Sequence, residues 1–215
     1  MKIINIAKQS VTEAIAILKQ GGVVVYPTET AYALGCDAAN SRAKAKIFKI
    51  KNRPADKNLP IICATKKMAF DFFKFGKIER KLAKTYWPGP LSIIIKTKKQ
   101  ENKKTRKQEI PVRVSSNKIA RTISRGLGKP IISTSANISG KKTLYDAKKI
   151  AEIFSRQKNQ PDLILDAGKL PEKKPSTIIK IVPRSGIPSR GKNGKIIILR
   201  KGEVNPTPPP LGKGR

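Results

Sequence analysis

Short apolar runs alternate along this chain with stretches in which apolar residues recur every three or four positions. The runs predict buried strands, and the three-to-four spacing predicts helices with one buried face. An opening strand is predicted at 3–6. The helix after it has Ser10 and Glu13 at capping-box spacing, and the β-branched run 23–26 predicts the next strand.

The remaining elements follow from the same two patterns. Ser41 is the predicted cap of the second helix, and Gly76 interrupts the third helical stretch. Further helices are predicted at 41–50, 67–86, 117–124 and 146–156. Further strands are predicted at 59–64, 91–96, 112–114, 130–134, 163–166, 177–181 and 195–199. Strands that alternate with helices in this way predict an α/β fold, in which helices pack on a mixed sheet.

The 215 residues are enough for one domain with a proper core, and neither a repeat nor a second domain boundary is visible. The segment 98–107 contains six cations, one acid and no apolar side chain, which predicts a solvated loop. Residues 203–215 contain four prolines and little that could be buried, which predicts a disordered tail. We therefore expect a single domain over residues 1–202.

The composition excludes several classes of enzyme. Histidine is absent, which rules out Ser-His-Asp and Cys-His catalysis and any zinc site with a histidine ligand. The two cysteines, Cys36 and Cys63, form neither a zinc site by themselves nor a disulfide framework, which fits a reducing cytoplasm. No apolar run approaches the roughly 18 residues of a membrane span, and residues 1–8 do not resemble a secretory signal. A cytoplasmic protein without a membrane partner is predicted.

The charge of the chain is strongly positive. Forty-seven Lys and Arg residues against fourteen Asp and Glu residues give a formal net charge of +33. A field of this sign attracts polyanions such as RNA, DNA or nucleotides. The alternative is a solvated surface, because the lysines are spread along the whole chain. Net charge alone does not choose between these interpretations.

Two hydroxyl-rich segments follow predicted strands, where α/β sheets present groups that bind ligands. Residues 26–32 place two threonines and a glutamate in a turn that Pro27 stiffens. Residues 133–140 place four hydroxyl groups and one amide after an apolar strand. Such turns can bind phosphate or ribose through hydroxyl and N–H groups. Each can equally be an ordinary polar turn before the next element.

Cationic side chains are a further indication of a ligand-binding site. Lys51, Arg53 and Lys57 lie within seven residues, and Arg and Lys are the side chains that bind phosphate groups. The alternative is that they are cations placed favourably at a helix C-terminus. Arg113 lies in an apolar strand, where a buried charge is costly unless it meets an anion. That anion is either an internal carboxylate or a carboxylate or phosphate of a ligand.

Taken in order, seven segments of the chain resemble the YrdC family of L-threonylcarbamoyladenylate synthases. The combination of YPTET, KxRP, WPGP and STSAN is specific, and the resemblance covers roughly residues 8–202 of this single-domain chain. The segments are YPTETAYALGCDA (26–38), KNRPADKNLP (51–60), WPGPLS (87–92), PVRV (111–114), STSANISG (133–140), PST (175–177) and LRKG (199–202).

The resemblance implies a nucleotidyltransferase that converts L-threonine, bicarbonate and ATP into threonylcarbamoyl-adenylate and pyrophosphate. It also implies Mg²⁺ bound with the ATP. A threonylcarbamoyl transferase complex then moves the group to adenosine 37 of tRNA. The implied fold is an open twisted mixed α/β sheet that encloses a concave, positively charged cavity.

The family motifs also imply roles for individual residues. Lys51 and Arg53 match the KxR pair and are the implied catalytic residues at the ATP phosphates. The other implied ATP-binding residues are Lys57, Ser135, Asn137, Thr143 and Arg200. The implied threonine-binding residues are Thr30, Arg113, Ser133 and Ser176.

The chain departs from the family pattern at three positions and in residues 184–195, which resemble an inserted basic loop before Arg200. Ala33 stands where the family usually has glycine, and Asn58 and Ser115 stand where it usually has proline. None of these changes removes a group that the reaction needs, so the activity is still expected. The alternative function is a non-catalytic module that binds double-stranded RNA or tRNA through a basic face. That function leaves the buried Arg113 and the hydroxyl clusters unexplained.

Overall fold

The computed structural model of this protein describes residues 1–55, 57–96, 109–183 and 194–207. Within these ranges the chain forms six helices and eleven strands. The helices are α1 (Lys8–Lys19), α2 (Ser41–Lys51), α3 (Lys66–Phe72), α4 (Lys77–Tyr86), α5 (Lys118–Leu127) and α6 (Ala147–Ser155). The strands are β1 (Lys2–Asn5), β2 (Val24–Pro27), β3 (Tyr32–Gly35), β4 (Ile61–Cys63), β5 (Leu91–Lys96), β6 (Glu109–Val114), β7 (Ile131–Ile132), β8 (Thr134–Ser135), β9 (Leu163–Asp166), β10 (Thr177–Pro183) and β11 (Gly194–Arg200).

The strands form two mixed sheets within the described ranges. One has five strands in the order β1-β9-β2-β3-β8, and the other has six in the order β11-β10-β5-β6-β4-β7. The mixed α/β class is confirmed, but the strands divide between two sheets where the sequence predicts one. The reason lies in the predicted strand 130–134, which is split: Ile132 pairs with Ile61 in the larger sheet, and Thr134 pairs with Leu34 in the smaller one.

Ser133 is the residue at which the chain passes from the larger sheet to the smaller one. The smaller sheet also contains β3, which the sequence patterns do not predict. It forms an antiparallel hairpin with β2, in which Val24 pairs with Gly35. In the same sheet β9 lies between β1 and β2 and is parallel to both, because Leu163 is paired with Lys2 on one side and with Val24 on the other.

The predicted capping box at the start of α1 is wrong. The helix begins at Lys8, so Ser10 lies inside its first turn. The Ser10 hydroxyl accepts a hydrogen bond from the backbone N–H of Ala7 at 2.8 Å and donates to the Ala7 carbonyl oxygen at 2.9 Å. Glu13 instead accepts a hydrogen bond from the ammonium of Lys2, which lies 2.9 Å away. The helix starts three positions earlier than the capping pattern indicates.

The cap of α2 also lies one residue earlier than predicted. The side chain of Asn40, and not that of Ser41, accepts a hydrogen bond from the Ala43 N–H at 3.0 Å. An amide oxygen at this position satisfies one of the free N–H groups at the helix start. The predicted break at Gly76 is confirmed, because this residue lies between α3 and α4 as the N-cap of α4.

The helices pack against both sheets. Helix α5 contacts α1, β2 of the smaller sheet and β4 of the larger sheet, while α3 and α4 contact the larger sheet and α6 contacts β9. Their apolar faces and the strands form one core, in which Leu18, Ile47 and Ile123 are almost completely buried. Each such side chain stabilises the fold by about 1.5–3 kcal/mol relative to an exposed position.

Part of the predicted tail contacts the rest of the domain. The Glu203 N–H donates to the Pro175 carbonyl oxygen at 2.9 Å, and the Val204 N–H donates to the Thr177 hydroxyl at 3.2 Å. The predicted boundary at residue 202 stays a prediction. Residues 208–215 and the predicted loop 98–107 lie outside the described residues. In the described part of the chain, no helix is both long and apolar enough to cross a membrane.

Candidate functional site

A cavity of about 310 Å³ is lined by residues from both sheets. The turn after β2, the Arg113 position of β6 and the sheet crossing at Ser133 all contribute to its wall. Eight of the eleven predicted site residues line this cavity, and three do not. The eight are Thr30, Arg53, Arg113, Ser133, Ser135, Thr143, Ser176 and Arg200. The three are Lys51, Lys57 and Asn137.

The turn between β2 and β3 presents Thr30 to the cavity. The Thr28 hydroxyl donates to the Ala31 carbonyl oxygen at 2.6 Å and accepts from the N–H of Ala31 at 3.2 Å. Thr28 therefore holds the turn, as an ordinary hydroxyl-rich turn requires. The hydroxyl of Thr30 lies 3.1 Å from that of Thr28 and lines the cavity. One threonine is structural, and the other is available to a ligand.

The buried Arg113 meets an internal carboxylate, which was one of the two alternatives that the sequence leaves open. Its Nη1 atom bonds Oε1 of Glu29, and the Ser115 hydroxyl donates to Oε2 of the same carboxylate. The side chains of Arg113 and Glu29 are only 7% and 11% exposed. Sequence reasoning missed Glu29 as a site residue, although a carboxylate in a hydroxyl-rich turn of a chain with fourteen acids was the available signal.

Arg200 at the end of β11 bonds the loop before β10. Its guanidinium donates to the Ser176 carbonyl oxygen at 2.7 Å and to the Ser176 hydroxyl at 2.9 Å. The Ser176 hydroxyl also lies 3.2 Å from that of Ser92. Burial, and then the nearby charge of Arg113, lower the pKa of Arg200. Arg113 and Arg200 thus face the same cavity, and the charge of Arg113 makes Arg200 costlier to keep charged.

Two polar atoms at the cavity are buried without a hydrogen-bond partner in the described part of the protein. They are the hydroxyl oxygen of Ser133 and the Nε atom of Arg53. A buried polar group without a partner costs about 1–3 kcal/mol. Groups that carry such a cost at the wall of a cavity are candidates for contact with a bound ligand.

Lys51 is directed into the loop after β8 and does not line the cavity. Its buried ammonium donates to the carbonyl oxygens of Ser135 at 2.5 Å and Asn137 at 2.7 Å, and to Oδ1 of Asn137 at 3.1 Å. An ammonium has three donors, and these contacts use all three. Within the described residues Lys51 and Asn137 support the loop, and the geometry does not provide the predicted contact of Lys51 with phosphate.

The burial of Lys51 predicts an effect of pH on stability. Burial, and then the charge of Arg53, lower the pKa of Lys51 from 10.5 to about 8. Between these pH values the unfolded chain binds a proton that the folded lysine has released, so stability should rise with pH there. Relative to Lys51→Met, the wild-type free energy of unfolding should increase by up to about 1.4 kcal/mol per pH unit.

Urea unfolding at pH 7, 8.5 and 10 measures this difference, and the comparison with the variant removes the effect of the other lysines. Lys49→Met, which alters an exposed lysine of the same helix, is the control. A wild-type slope that matches the slope of Lys51→Met across this range contradicts the prediction.

Lys57 lines a second, larger cavity of about 670 Å³. Arg53 and Asn58 line both cavities, and the Arg53 guanidinium donates to the Asn58 carbonyl oxygen at 3.2 Å. The floor of the second cavity includes the apolar side chains of Phe48 and Ile110. The structure therefore separates Lys57 from the other predicted nucleotide-binding residues, apart from Arg53.

The described residues do not form a protein site for a divalent cation. Mg²⁺ prefers carboxylate oxygens and phosphates as ligands. No group of three carboxylate, cysteine or histidine side chains lies close enough for metal binding in the described ranges. Glu29, which bonds the cavity residue Arg113, is engaged by Arg113 and Ser115.

The balance of charge at the 310 Å³ cavity indicates the kind of ligand that it can hold. Arg53, Arg113, Arg200 and Lys173 line it, and no carboxylate is among its described lining residues. Glu29 offsets one of these charges from behind Arg113. The surplus of cations and the available hydroxyls suit an anion that also carries hydrogen-bonding groups. Sequence reasoning did not identify Lys173, because it lies outside the recognised motifs.

The comparisons with known proteins agree with this fold. Residues 16–202 match the Sua5/YciO/YrdC family model, which is described as "Telomere recombination". The chain is similar to the uncharacterized protein YciO of Escherichia coli K12, with 32% identity over 184 residues, which are 82% of this chain and 86% of YciO. The crystal structure of E. coli YciO has a TM-score of 0.77 at 27% identity and covers 95% of both chains.

Two further proteins carry names related to threonine. The threonylcarbamoyl-AMP synthase of Psychromonas ingrahamii is 36% identical over 167 residues, which are 74% of this chain and 86% of the synthase. The structure of P. abyssi Sua5 complexed with L-threonine has a TM-score of 0.75 at 27% identity and covers 94% of this chain. This chain spans only 56% of that Sua5 chain. The match of the family model over most of the chain shows that this protein belongs to the Sua5/YciO/YrdC family.

Proposed function

We propose that this protein is an L-threonylcarbamoyladenylate synthase. The observation that carries the proposal is the 310 Å³ cavity, where three arginines and one lysine gather with available hydroxyl groups. The reaction joins an amino-acid carbamate to a nucleotide triphosphate, so its site must accommodate two anions. The name of the P. ingrahamii relative and the threonine bound to P. abyssi Sua5 favour this reaction over other uses of an anion site.

The chemistry needs no covalent intermediate with the protein. The amine of threonine adds to bicarbonate with loss of water and forms a carbamate, whose oxygen is anionic. That oxygen attacks the α-phosphorus of ATP, a P–O bond forms, and the bond to the bridging oxygen of pyrophosphate breaks. No strong base is required for the attack, which suits a chain without histidine. The task of the protein is to hold two anions in line.

We assign the cavity residues to the nucleotide or to threonine according to their positions. Arg53 is the proposed phosphate ligand, because its Nε atom is buried without a partner and its side chain lines the cavity. Ser135 and Thr143 line the same wall and are proposed to contact the nucleotide. Lys51 and Asn137 act indirectly in this proposal, since they fix the loop that carries Ser135.

The threonine half is proposed to lie at the other arginines. Arg113 would bind the carboxylate of threonine, and Thr30, Ser133 and Ser176 would meet its amine and hydroxyl groups. Arg200 already holds the Ser176 loop, so its role in this proposal is to position that loop beside Arg113. Mg²⁺ would arrive with the triphosphate, because the described residues offer no cluster of carboxylates for it. When bound, it offsets the negative charge that develops on the phosphates.

Detection of the product by mass spectrometry tests the proposal. Purified protein is incubated with ATP, Mg²⁺, bicarbonate and L-threonine, and each component is omitted in turn. We expect threonylcarbamoyl-adenylate and pyrophosphate only in the complete mixture. Full pyrophosphate release without threonine, or no product in the complete mixture, contradicts the proposed function.

The product would be used by a transferase that modifies adenosine 37 of tRNA, and such a complex is the proposed partner. Direct binding of tRNA or double-stranded RNA stays a prediction from charge. A cytoplasmic location stays a prediction from the two cysteines and from the lack of a predicted secretory signal or membrane span. RNA binding through phosphates should weaken steeply as salt is raised. Protection of the protein from thermal unfolding by ATP should increase further when threonine is added, which RNA binding does not require.

Ser133→Ala provides a prediction in which activity falls while stability is retained. Among the described residues the buried Ser133 hydroxyl has no hydrogen-bond partner of good geometry and interacts only with the Tyr26 side chain, so its removal should change the stability of the free protein by less than about 1 kcal/mol. The KM for threonine should rise, because the ligand loses a contact. Urea unfolding and steady-state kinetics measure the two effects. Ser124→Ala is the control, since that buried hydroxyl donates to the Lys129 carbonyl oxygen at 2.9 Å and its loss should destabilise.

A further inference from the structure

The Glu29 carboxylate lies between one side chain of β6 and one that follows directly after β6. One oxygen bonds Nη1 of Arg113, and the other accepts a hydrogen bond from the Ser115 hydroxyl. Glu29 comes from the turn after β2 in the five-stranded sheet, while Arg113 lies in β6 of the six-stranded sheet. We call these three residues the carboxylate clamp. The clamp therefore joins the two sheets at the wall of the cavity.

Ser115 is itself fixed by the start of α5. Its side-chain oxygen accepts a hydrogen bond from the backbone N–H of Asn117 at 3.2 Å. The Asn117 side chain in turn accepts from the Ile119 N–H at 2.9 Å and so caps the helix. Ser115 is completely buried. Its hydroxyl is thus anchored on one side by a helix and directed at Glu29 on the other.

The clamp leaves one side of the Arg113 guanidinium for a ligand. A guanidinium offers five donors in a planar fork, and a carboxylate is best bound by two parallel N–H groups. Glu29 engages Nη1 and is the only hydrogen-bond partner of the guanidinium among the described residues. The edge formed by Nε and Nη2 remains for a second carboxylate.

Arg113 needs an anchor because another cation, Arg200, lines the same cavity. Like charges that face one cavity repel each other, and the charge of Arg113 contributes, after burial, to the lowered pKa of Arg200. Glu29 offsets that repulsion and ties Arg113 to one orientation. Without it, the guanidinium would be held by packing alone and would be free to turn away from Arg200.

We propose that Glu29 and Ser115 are positioning residues that hold Arg113 for the carboxylate of the amino-acid substrate. The proposal rests on the proposed function for the identity of that substrate. Ser115 adds a second hold on Glu29, because its buried hydroxyl donates to the carboxylate oxygen that Arg113 does not bond. In this chain both oxygens of the Glu29 carboxylate are bonded, one by Arg113 and one by Ser115. The position of Glu29 is therefore fixed, and with it the orientation of the Arg113 guanidinium.

Kinetics of Glu29→Gln provide the first test. The variant keeps the shape of the side chain but loses the counter-charge that fixes Arg113. We expect the KM for threonine to rise by about 10–100-fold, as misplacement of a binding group by about 1 Å does, while the KM for ATP changes by less than about 3-fold. Ser115→Ala keeps the charge and should give a smaller rise in the same direction. A rise in both KM values to the same extent overturns the positioning role.

The second test does not depend on the reaction. The ¹⁵N guanidinium resonances of Arg113 are assigned by their loss in Arg113→Lys and then compared between the wild-type protein and Glu29→Gln. We expect slow rotation of the guanidinium in the wild-type protein and faster rotation in the variant. An unchanged Arg113 resonance overturns the proposal even if the enzyme is active. If the wild-type protein makes no threonylcarbamoyl-adenylate, the proposed function fails and this spectrum still decides the role of Glu29.

Glu109→Gln is the matched control. Glu109 forms an ion pair with Lys180 at 2.7 Å, and its side chain is about one-third exposed. The substitution is chemically the same and also breaks an ion pair, but Glu109 does not line the cavity. It should leave both KM values and the Arg113 resonance as they are in the wild-type protein. A matching shift in this variant assigns the effect to loss of charge in general and overturns the clamp.

Discussion

Arg53→Ala is expected to slow ATP-dependent pyrophosphate release by about 10²–10³-fold, the loss that follows removal of one donor to a developing charge. Arg53 is the cavity arginine whose buried Nε atom has no partner within the described chain, and a phosphate of ATP is the partner that we propose for it. Within the described residues its guanidinium makes one hydrogen bond, to the Asn58 carbonyl oxygen; this contact is exposed, and its loss should change stability by less than about 1 kcal/mol. A coupled phosphate assay measures the rate.

Arg42→Ala controls for the loss of a positive charge. Arg42 is an exposed residue of α2, the helix that ends just before Arg53, and it lines neither of the two cavities. Its replacement should leave the rate within about 2-fold, because an exposed charge at a distance is screened by salt. Wild-type turnover of Arg53→Ala, or an equal loss in both variants, removes Arg53 from the proposed phosphate site.

We expect the second large effect when Arg113 and its partner Glu29 are both replaced by uncharged side chains. Arg113→Met alone leaves Glu29 buried without its counter-charge, and breaking a buried pair in this way costs about 3–5 kcal/mol. The double variant Arg113→Met/Glu29→Gln removes both charges and should fold. Its kcat/KM for threonine should fall by about 10²–10³-fold, which is the usual cost of losing a buried charged contact to a ligand.

Far-UV circular dichroism and urea unfolding establish that the double variant is folded before its kinetics are measured. Arg125→Met, in which an exposed arginine of α5 is replaced, is the control for the loss of an arginine. A double variant that is folded and retains the wild-type kcat/KM for threonine contradicts the role proposed for Arg113.

Local sequence patterns predicted most elements, because periodicity reports which face of an element is buried. The strand Leu91–Lys96 and the strand Leu163–Asp166 have the predicted bounds. The strand Tyr32–Gly35 was missed because it follows a polar turn directly and is only four residues long. The division into two sheets was missed for a different reason: the pairing partners of Ile132 and Thr134 are set by distant residues that no local pattern names.

The candidate site was predictable in its chemistry but not in its contacts. Hydroxyl and cationic side chains after buried strands indicated an anion site, and the structure brings eight of the predicted residues to one cavity. The contacts of Lys51 could not be predicted from sequence, because its partners include backbone carbonyl groups 84 and 86 residues away. The role of Glu29 was not predicted for a similar reason, because it depends on the contact between this carboxylate and Arg113.

The position of β9 determines when the protein can fold during synthesis. This strand lies between β1 and β2, so residues 2–27 cannot complete their sheet until residues 163–166 have left the ribosome. Synthesis proceeds at about 5–20 residues per second, so the apolar edge of β2 stays unpaired with β9 for several seconds. We expect the nascent chain to need protection from aggregation during that interval, and stalled chains that end before residue 163 to be degraded readily by added protease.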